Sequence, residues 1–146
     1  MKVGEIMTSN PACCTPDTSL GEVARLMVEN DCGEIPVVDS QQRKKPVGVV
    51  TDRDIVVRML AQGHNPLERT AQDAMTAPAT TVTPEMDLDE CANIMERKQI
   101  RRVPVVDESG RVTGMVSQAD IVRTARDRMA AELVREVSEA GQKQKR

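Results

Sequence analysis

The chain repeats itself, and nothing else in it constrains the fold as much. Met7-Thr8 recurs as Met75-Thr76, Thr15-Pro16 as Thr83-Pro84, and Pro36-Val37-Val38-Asp39 as Pro104-Val105-Val106-Asp107, all 68 residues apart. Residues 7–39 and 75–107 are identical at 12 of 33 positions. The offset then falls to 66, because the Ser40–Lys45 loop is two residues longer than its counterpart. Residues 48–56 match 114–122 at 5 of 9 positions, with Thr51 facing Ser117 in the alignment. The identities sit at turn, cap and apolar positions, the places where a repeat shows shared structure.

Each copy reads as β-α-β-β-α. A short segment ends in Met-Thr, and an extended piece follows, Ala12–Thr15 or Thr80–Thr83, stopped by proline. Ser19 with Glu22, and Asp87 with Glu90, have capping-box spacing and predict helix starts. Apolar residues at 20, 23, 24 and 27, and at 88, 91, 92 and 95, make a stripe at helical spacing. Two Val-rich strands come next, Ile35–Asp39 with Pro46–Thr51 and Val103–Asp107 with Arg111–Ser117. A second helix starts at Asp52 or Gln118, and a charged helix continues beyond residue 123 to a basic, frayed end at Gln142–Arg146. A unit of about 60 residues buries only about 60% of its unfolded surface. The fold class expected is therefore α/β (α+β), two repeats related by a pseudo-two-fold and packed sheet to sheet. The boundaries expected are 1–61 and 73–125 for the repeats, 62–72 for the connection and 126–146 for the C-terminal helix and tail.

Composition removes several function classes. The chain of 146 residues has no Phe, Trp or Tyr and a net charge of −3. Bases cannot stack on an aromatic platform, and no global basic field attracts nucleic acid. No apolar run approaches the length of a membrane span, and residues 1–5 do not open a signal peptide. Cys13, Cys14, Cys32 and Cys91 lack CxxC spacing and read as reduced thiols of a soluble cytoplasmic protein. Cys13 and Cys14 with His64 are poorly spaced for a metal, and His64 reads as a loop residue, so no metal site is expected. Phosphate-loop, dinucleotide-fingerprint, nucleophile-elbow and zinc-protease motifs are absent, and no enzymatic activity is expected.

Two motifs remain that can hold a ligand. Thr51 and Asp54, like Ser117 and Asp120, stand three apart where a strand becomes a helix. One helical turn puts the hydroxyl and carboxylate on one face. The helix entrance offers free N–H groups to a phosphate, and the carboxylate can accept ribose hydroxyls. The same spacing is also an ordinary N-cap, and one hydroxyl can serve both roles.

The duplicated pattern, an apolar residue with Pro-Val-Val-Asp followed by Gly-x-x-Thr/Ser-x-x-Asp, resembles a tandem pair of cystathionine-beta-synthase (CBS) domains over about residues 1–125. The resemblance implies a regulatory binding module. Such pairs take adenosine-containing ligands (AMP, ADP, ATP, NAD or S-adenosylmethionine) as reversible ligands in two clefts shared by the repeats, with no obligatory cofactor. Carried over residue by residue, one cleft combines Thr51, Arg53 and Asp54 with Thr83 and Ile100, Arg101 and Arg102. The other combines Ser117 and Asp120 with Thr15 and Cys32, Gly33 and Glu34. The three arginines make the first cleft the expected phosphate site. The resemblance further implies a homodimer, built on the helices that carry Ile55, Val56 and Met59 and Ile121, Val122 and Met129, and an unidentified protein partner that reads the ligand state. Neither nucleic acid nor a membrane is expected as a partner. The rival reading is a ligand-independent assembly protein with vestigial clefts.

Overall fold

A computed structural model describes residues Met1–Gln144, and side chains as far as Gly141. A 3-10 turn (Val3–Glu5) leads to strand β1 (Thr8–Ser9), then helix α1 (Leu20–Glu29) and the hairpin β2 (Glu34–Val38) and β3 (Pro46–Thr51). Helix α2 (Asp52–Asp54) runs into a π-type segment, Ile55–Leu60. After a 3-10 turn (Pro66–Glu68) come α3 (Ala71–Ala74), α4 (Leu88–Lys98), the hairpin β4 (Arg102–Val106) and β5 (Val112–Ser117), and α5 (Gln118–Gln144). The α-β-β-α part of the expected repeat is observed twice, but the expected leading pieces Ala12–Thr15 and Thr80–Thr83 form only single bridges, at Cys14 and Val82, and the leading strand of the first copy is Thr8–Ser9. Each hairpin begins one residue earlier than the hydrophobic runs indicated. Helix α5 continues through Gln142, where fraying was expected, and Lys145 and Arg146 lie outside the described residues.

The apolar stripes build two cores. Leu20, Val23 and Met27 of α1 pack with Ile35, Val37 and Val50 in the first. Leu88, Cys91 and Met95 of α4 pack with Val103, Val105 and Val116 in the second. The two cap predictions part company. Ser19 Oγ accepts the Glu22 N–H at 3.2 Å, whereas the Asp87 side chain makes no cap bond and meets Lys2 Nζ at 3.1 Å.

The repeats exchange their leading segments, which the sequence did not indicate. Strand β1 pairs antiparallel with β5, Thr8 opposite Met115 and Ser9 opposite Gly114. Val3 is fully buried in the second core. In the mirror arrangement Thr76 bridges Val49, and Ala71 and Ala74 are buried in the first core. Gly48 and Gly114 permit these approaches. A Cβ on Gly48 would sit 2.7 Å from the Thr76 carbonyl, and one on Gly114 would sit 2.5 Å from Met7 Sδ.

The helix after β3 departs from α-geometry. Its i→i+5 bonding, seen in Ala61 N–H on the Val56 carbonyl at 2.9 Å, removes the 3.6-residue spacing used to predict an outward side of Ile55, Val56 and Met59. Met59 is 5% exposed and belongs to the first core, Ile55 packs against that core, and Val56, Val57 and Leu60 face outward. Ile121 likewise packs against the second core.

Candidate functional site

Both strand-to-helix motifs fold into the same local structure. Thr51 N–H donates to Asp54 Oδ2 and Asp54 N–H to Thr51 Oγ1, each at 3.0 Å. In the second copy Asp120 N–H donates to Ser117 Oγ at 3.1 Å and Ser117 N–H to Asp120 Oδ2 at 3.4 Å. The helix entrances are partly closed. Asp52 N–H donates to the Gly33 carbonyl at 3.0 Å, and Gln118 N–H to the Arg101 carbonyl at 2.7 Å. Arg53 N–H also donates to Asp52 Oδ1 at 2.8 Å, so three first-turn N–H groups of the first helix and two of the second are already bonded, and less is left for a phosphate than the spacing suggested.

Around Ser117 and Asp120 the repeats leave a cavity of about 410 Å³. Repeat 2 contributes Met115, Val116, Ser117, Asp120 and Arg102. Repeat 1 contributes Thr8 to Ala12, Asn30 to Cys32, and Glu34. Volume and mixed lining are those of a small-molecule site. Asp120 is partly shielded, with a side chain 23% exposed, and its Oδ1 pairs with the Arg123 guanidinium, which is itself 67% exposed. A ligand hydroxyl can therefore displace Arg123 toward solvent without leaving a buried cation behind.

Glu34 is the unusual group here. It is 6% exposed, and its Oε2 is buried with no hydrogen-bond partner among the described residues. Burial pushes its carboxyl up to about 8; Arg102 pulls it down less, and the Asp54 charge pushes it up. Glu34 is thus largely a neutral acid at pH 7 and can donate as well as accept.

Other candidates lie elsewhere. Ala12–Thr15 runs parallel to β2 through the Cys14–Val37 bridge. That direction carries Thr15 to the hairpin end of the sheet, where it lines a hollow with Asp39 and Ser40, while Glu34 and the cavity are at the other end. Thr83 follows the equivalent Val82–Val105 bridge and is exposed. The structure brings neither threonine to a cleft. The segments that precede them, Thr8–Ala12 and its counterpart from Thr76, take that place, and Thr76 Oγ1 reaches both Asp54 carboxylate oxygens at 3.5 Å. The repeated Met-Thr pair was the signal that could have found them.

The expected charge asymmetry also fails. Arg102 lines the Ser117–Asp120 cavity, not the Asp54 side alone. Arg53 is exposed. Arg101 lines a separate hollow with Gln118, Val122 and Arg126. Ile100 packs on the second core, and Cys32 and Gly33 border an outer groove with Asp52 and Val56. Cys32 also reaches the cavity.

Among the described residues, no three His, Cys, Asp or Glu side chains gather for a metal ion. Burial first, then the neighbouring Cys13, pushes the Cys14 thiol up to about 12, so it supplies no thiolate at neutral pH. No described helix is long and apolar enough to cross a membrane.

Comparison with known proteins adds a frame. The model of the CBS domain matches residues 3–61 and 71–127. An uncharacterized protein of Methanopyrus kandleri is 34% identical over 123 residues, 84% of this chain and 62% of its own length. Hypoxic response protein 1 of Mycobacterium tuberculosis is 36% identical over 119 residues, 82% of this chain and 81% of that protein. Its crystal structure, with two coordinated zinc ions, superposes at a TM-score of 0.73 with 35% identity, covering 84% of this chain and 98% of that one. The CBS domain pair of protein MJ0100, in complex with 5'-methylthioadenosine and S-adenosyl-L-methionine, gives 0.78 at 29% identity, covering 88% and 98%. CBSX2 of Arabidopsis thaliana in complex with AMP gives 0.73 at 28% identity, covering 86% and 96%.

Proposed function

The chain belongs to the CBS-domain family, and on that premise we propose that it is a regulatory module that takes an adenosine-containing ligand between its two repeats. One observation carries this reading: the cavity of about 410 Å³ whose walls come from both repeats and whose floor holds the Ser117–Asp120 motif. Asp120 accepts the ribose hydroxyls, displacing Arg123. Ala12, Val116 and Met115 hold the base between aliphatic surfaces, since no aromatic ring exists in the chain. Glu34 and Arg102 supply polar contacts at the inner wall. The related pairs bound to AMP, and to methylthioadenosine and S-adenosylmethionine, support this ligand class.

A ligand of about 23 non-hydrogen atoms at about −0.3 kcal/mol per atom binds with about −7 kcal/mol, a Kd on the order of 10 μM. That affinity suits a sensor of nucleotide pools. Binding to both repeats at once favours one inter-repeat arrangement over another, and only that difference in affinity can signal. The reading includes a cytoplasmic homodimer, with the outward Val56, Val57 and Leu60 as contact, and a protein partner that reads the arrangement. The catalytic alternative has no phosphate-loop motif in the sequence and no metal cluster among the described residues to support it.

Calorimetry with AMP, ATP, NAD and S-adenosylmethionine tests the reading. Micromolar binding to one of them is expected, with loss of at least about tenfold in Asp120→Ala. Absence of heat and of any melting shift at millimolar ligand overturns it. Ligand-independent assembly then becomes the reading, favoured by the exposed apolar residues of α5.

A further inference from the structure

Glu34 and Arg102 each open a hairpin, Glu34 opposite Thr51 and Arg102 opposite Ser117. One comes from each repeat, and both line the cavity that holds Asp120. The Arg102 guanidinium reaches across to the first repeat, where a Cβ on Gly33 would lie 3.1 Å from its Nη1. The acid and the base are nonetheless not joined. Glu34 is only 6% exposed, its Oε2 is buried without a partner, and no ion pair links it to Arg102 among the described residues.

The charged groups around the two explain what each state of Glu34 does. Helix α2 brings Asp52 and Asp54, and α5 brings Asp120, already paired with Arg123. The turn before β2 brings Asp31 and Cys32, while the Thr8–Ala12 segment and Thr51 of β3 bring no charge. A carboxylate at Glu34 therefore adds to an acidic wall and draws the Arg102 fork to itself. A neutral acid instead donates its O–H into the cavity and leaves the fork to an incoming anion. Burial, the largest influence, pushes the Glu34 carboxyl up to about 8, which puts both states within ordinary pH. A phosphate beside Arg102 favours the neutral acid further, because it repels a second negative charge on the same guanidinium. Proton and phosphate each strengthen the binding of the other by linkage.

We propose that the cavity takes the phosphate of its ligand together with a proton on Glu34, which donates a hydrogen bond to the ligand while Arg102 pairs with the phosphate. The proposal rests on the reading of this cavity as an adenosine site. It adds that the ligand bears a phosphate and that alkaline conditions release it.

Calorimetry with AMP and with adenosine from pH 7 to pH 9 tests this, with melting curves at each pH to confirm folding. AMP affinity is expected to fall about tenfold over that range, while adenosine affinity changes by less than about threefold. At pH 8.5, buffers of different ionisation enthalpy show proton uptake when AMP binds. Glu34→Gln keeps a neutral donor at every pH, so it binds AMP at pH 7 as the native chain does and loses the slope. Cys32→Ala keeps the slope. A flat AMP profile, a slope that survives Glu34→Gln or disappears in Cys32→Ala, or the same slope with adenosine overturns the proposal and leaves the adenosine site standing. Binding of adenosine or S-adenosylmethionine without binding of AMP does the same. Absence of binding by all three at every pH overturns the adenosine site and the proposal together.

Discussion

The two strand-to-helix motifs are close in sequence and in local hydrogen bonding, yet they meet different surroundings. Asp54 is held by Thr51 and reached by Thr76, so its carboxylate is occupied within the protein. Asp120 opens on a cavity and pairs its Oδ1 with the Arg123 guanidinium, which is mostly in solvent. A capping motif therefore faces a cavity only where the segment exchanged from the other repeat leaves room beside it. Glu34 and Arg102 make the same point, because they occupy equivalent positions 68 residues apart and differ in charge. One is a buried acid without a partner, and the other is a half-buried base lining the same cavity.

That contrast gives the largest expected effect. The Glu34 carboxyl titrates near 8 in the folded chain and near 4.5 when free. Between those values the folded chain holds a proton that the unfolded chain has released. Stability from this group therefore falls as pH rises from about 4.5 to about 8 and levels off above it. Glu34→Gln is expected to remove that slope and to raise stability at pH 8 by about 2–5 kcal/mol. Urea melts of both proteins at pH 5 and pH 8 check it, and an unchanged slope breaks the asymmetry between positions 34 and 102.

Next come the two close approaches. Gly48→Ala drives a methyl group against a backbone carbonyl, whereas Gly114→Ala meets a flexible thioether first. The first is expected to cost about 1–3 kcal/mol and the second less. Equal midpoints in denaturant would remove the distinction between the two exchanged segments.

The clefts themselves are compared by truncation. Asp120→Ala is expected to lower ligand affinity about tenfold or more, while Asp54→Ala mainly costs about 1 kcal/mol of stability through the lost cap. Calorimetry and melting on the same two variants separate these outcomes. Reversal, with Asp54 controlling affinity, would move the site to the other cleft.

The smallest difference lies at the first helices. Ser19→Ala removes a cap bond and is expected to cost about 0.5–1 kcal/mol. Asp87→Ala loses only an exposed ion pair with Lys2 and stays near neutral. Thermal midpoints of the pair decide it.

Much of this fold was legible in the chain. The duplication gave the element order, and the period of the apolar residues picked out Leu20, Val23 and Met27 and their counterparts, because burial on one helix face leaves a periodic trace. The Ser117–Asp120 turn was legible for the same reason, since capping is local. Thr15 and Thr83 were assigned to the clefts on repetition alone. Repetition marks shared structure, and these two serve the hairpin end of each sheet. Met59 was misplaced because a π-type segment breaks the period that the reading relied on.

Local interactions thus determined the repeats, their caps and their cores from the sequence, since each depends on residues a few positions apart or on a regular period. Tertiary structure decided which surfaces meet. The exchange of Val3–Ser9 and Ala71–Thr76 between repeats set the cavity wall and put Arg102 beside Glu34. Contacts such as Thr8 with Met115 and Val49 with Thr76, 107 and 27 positions apart, carry no period and no local motif, so only the folded chain reveals them.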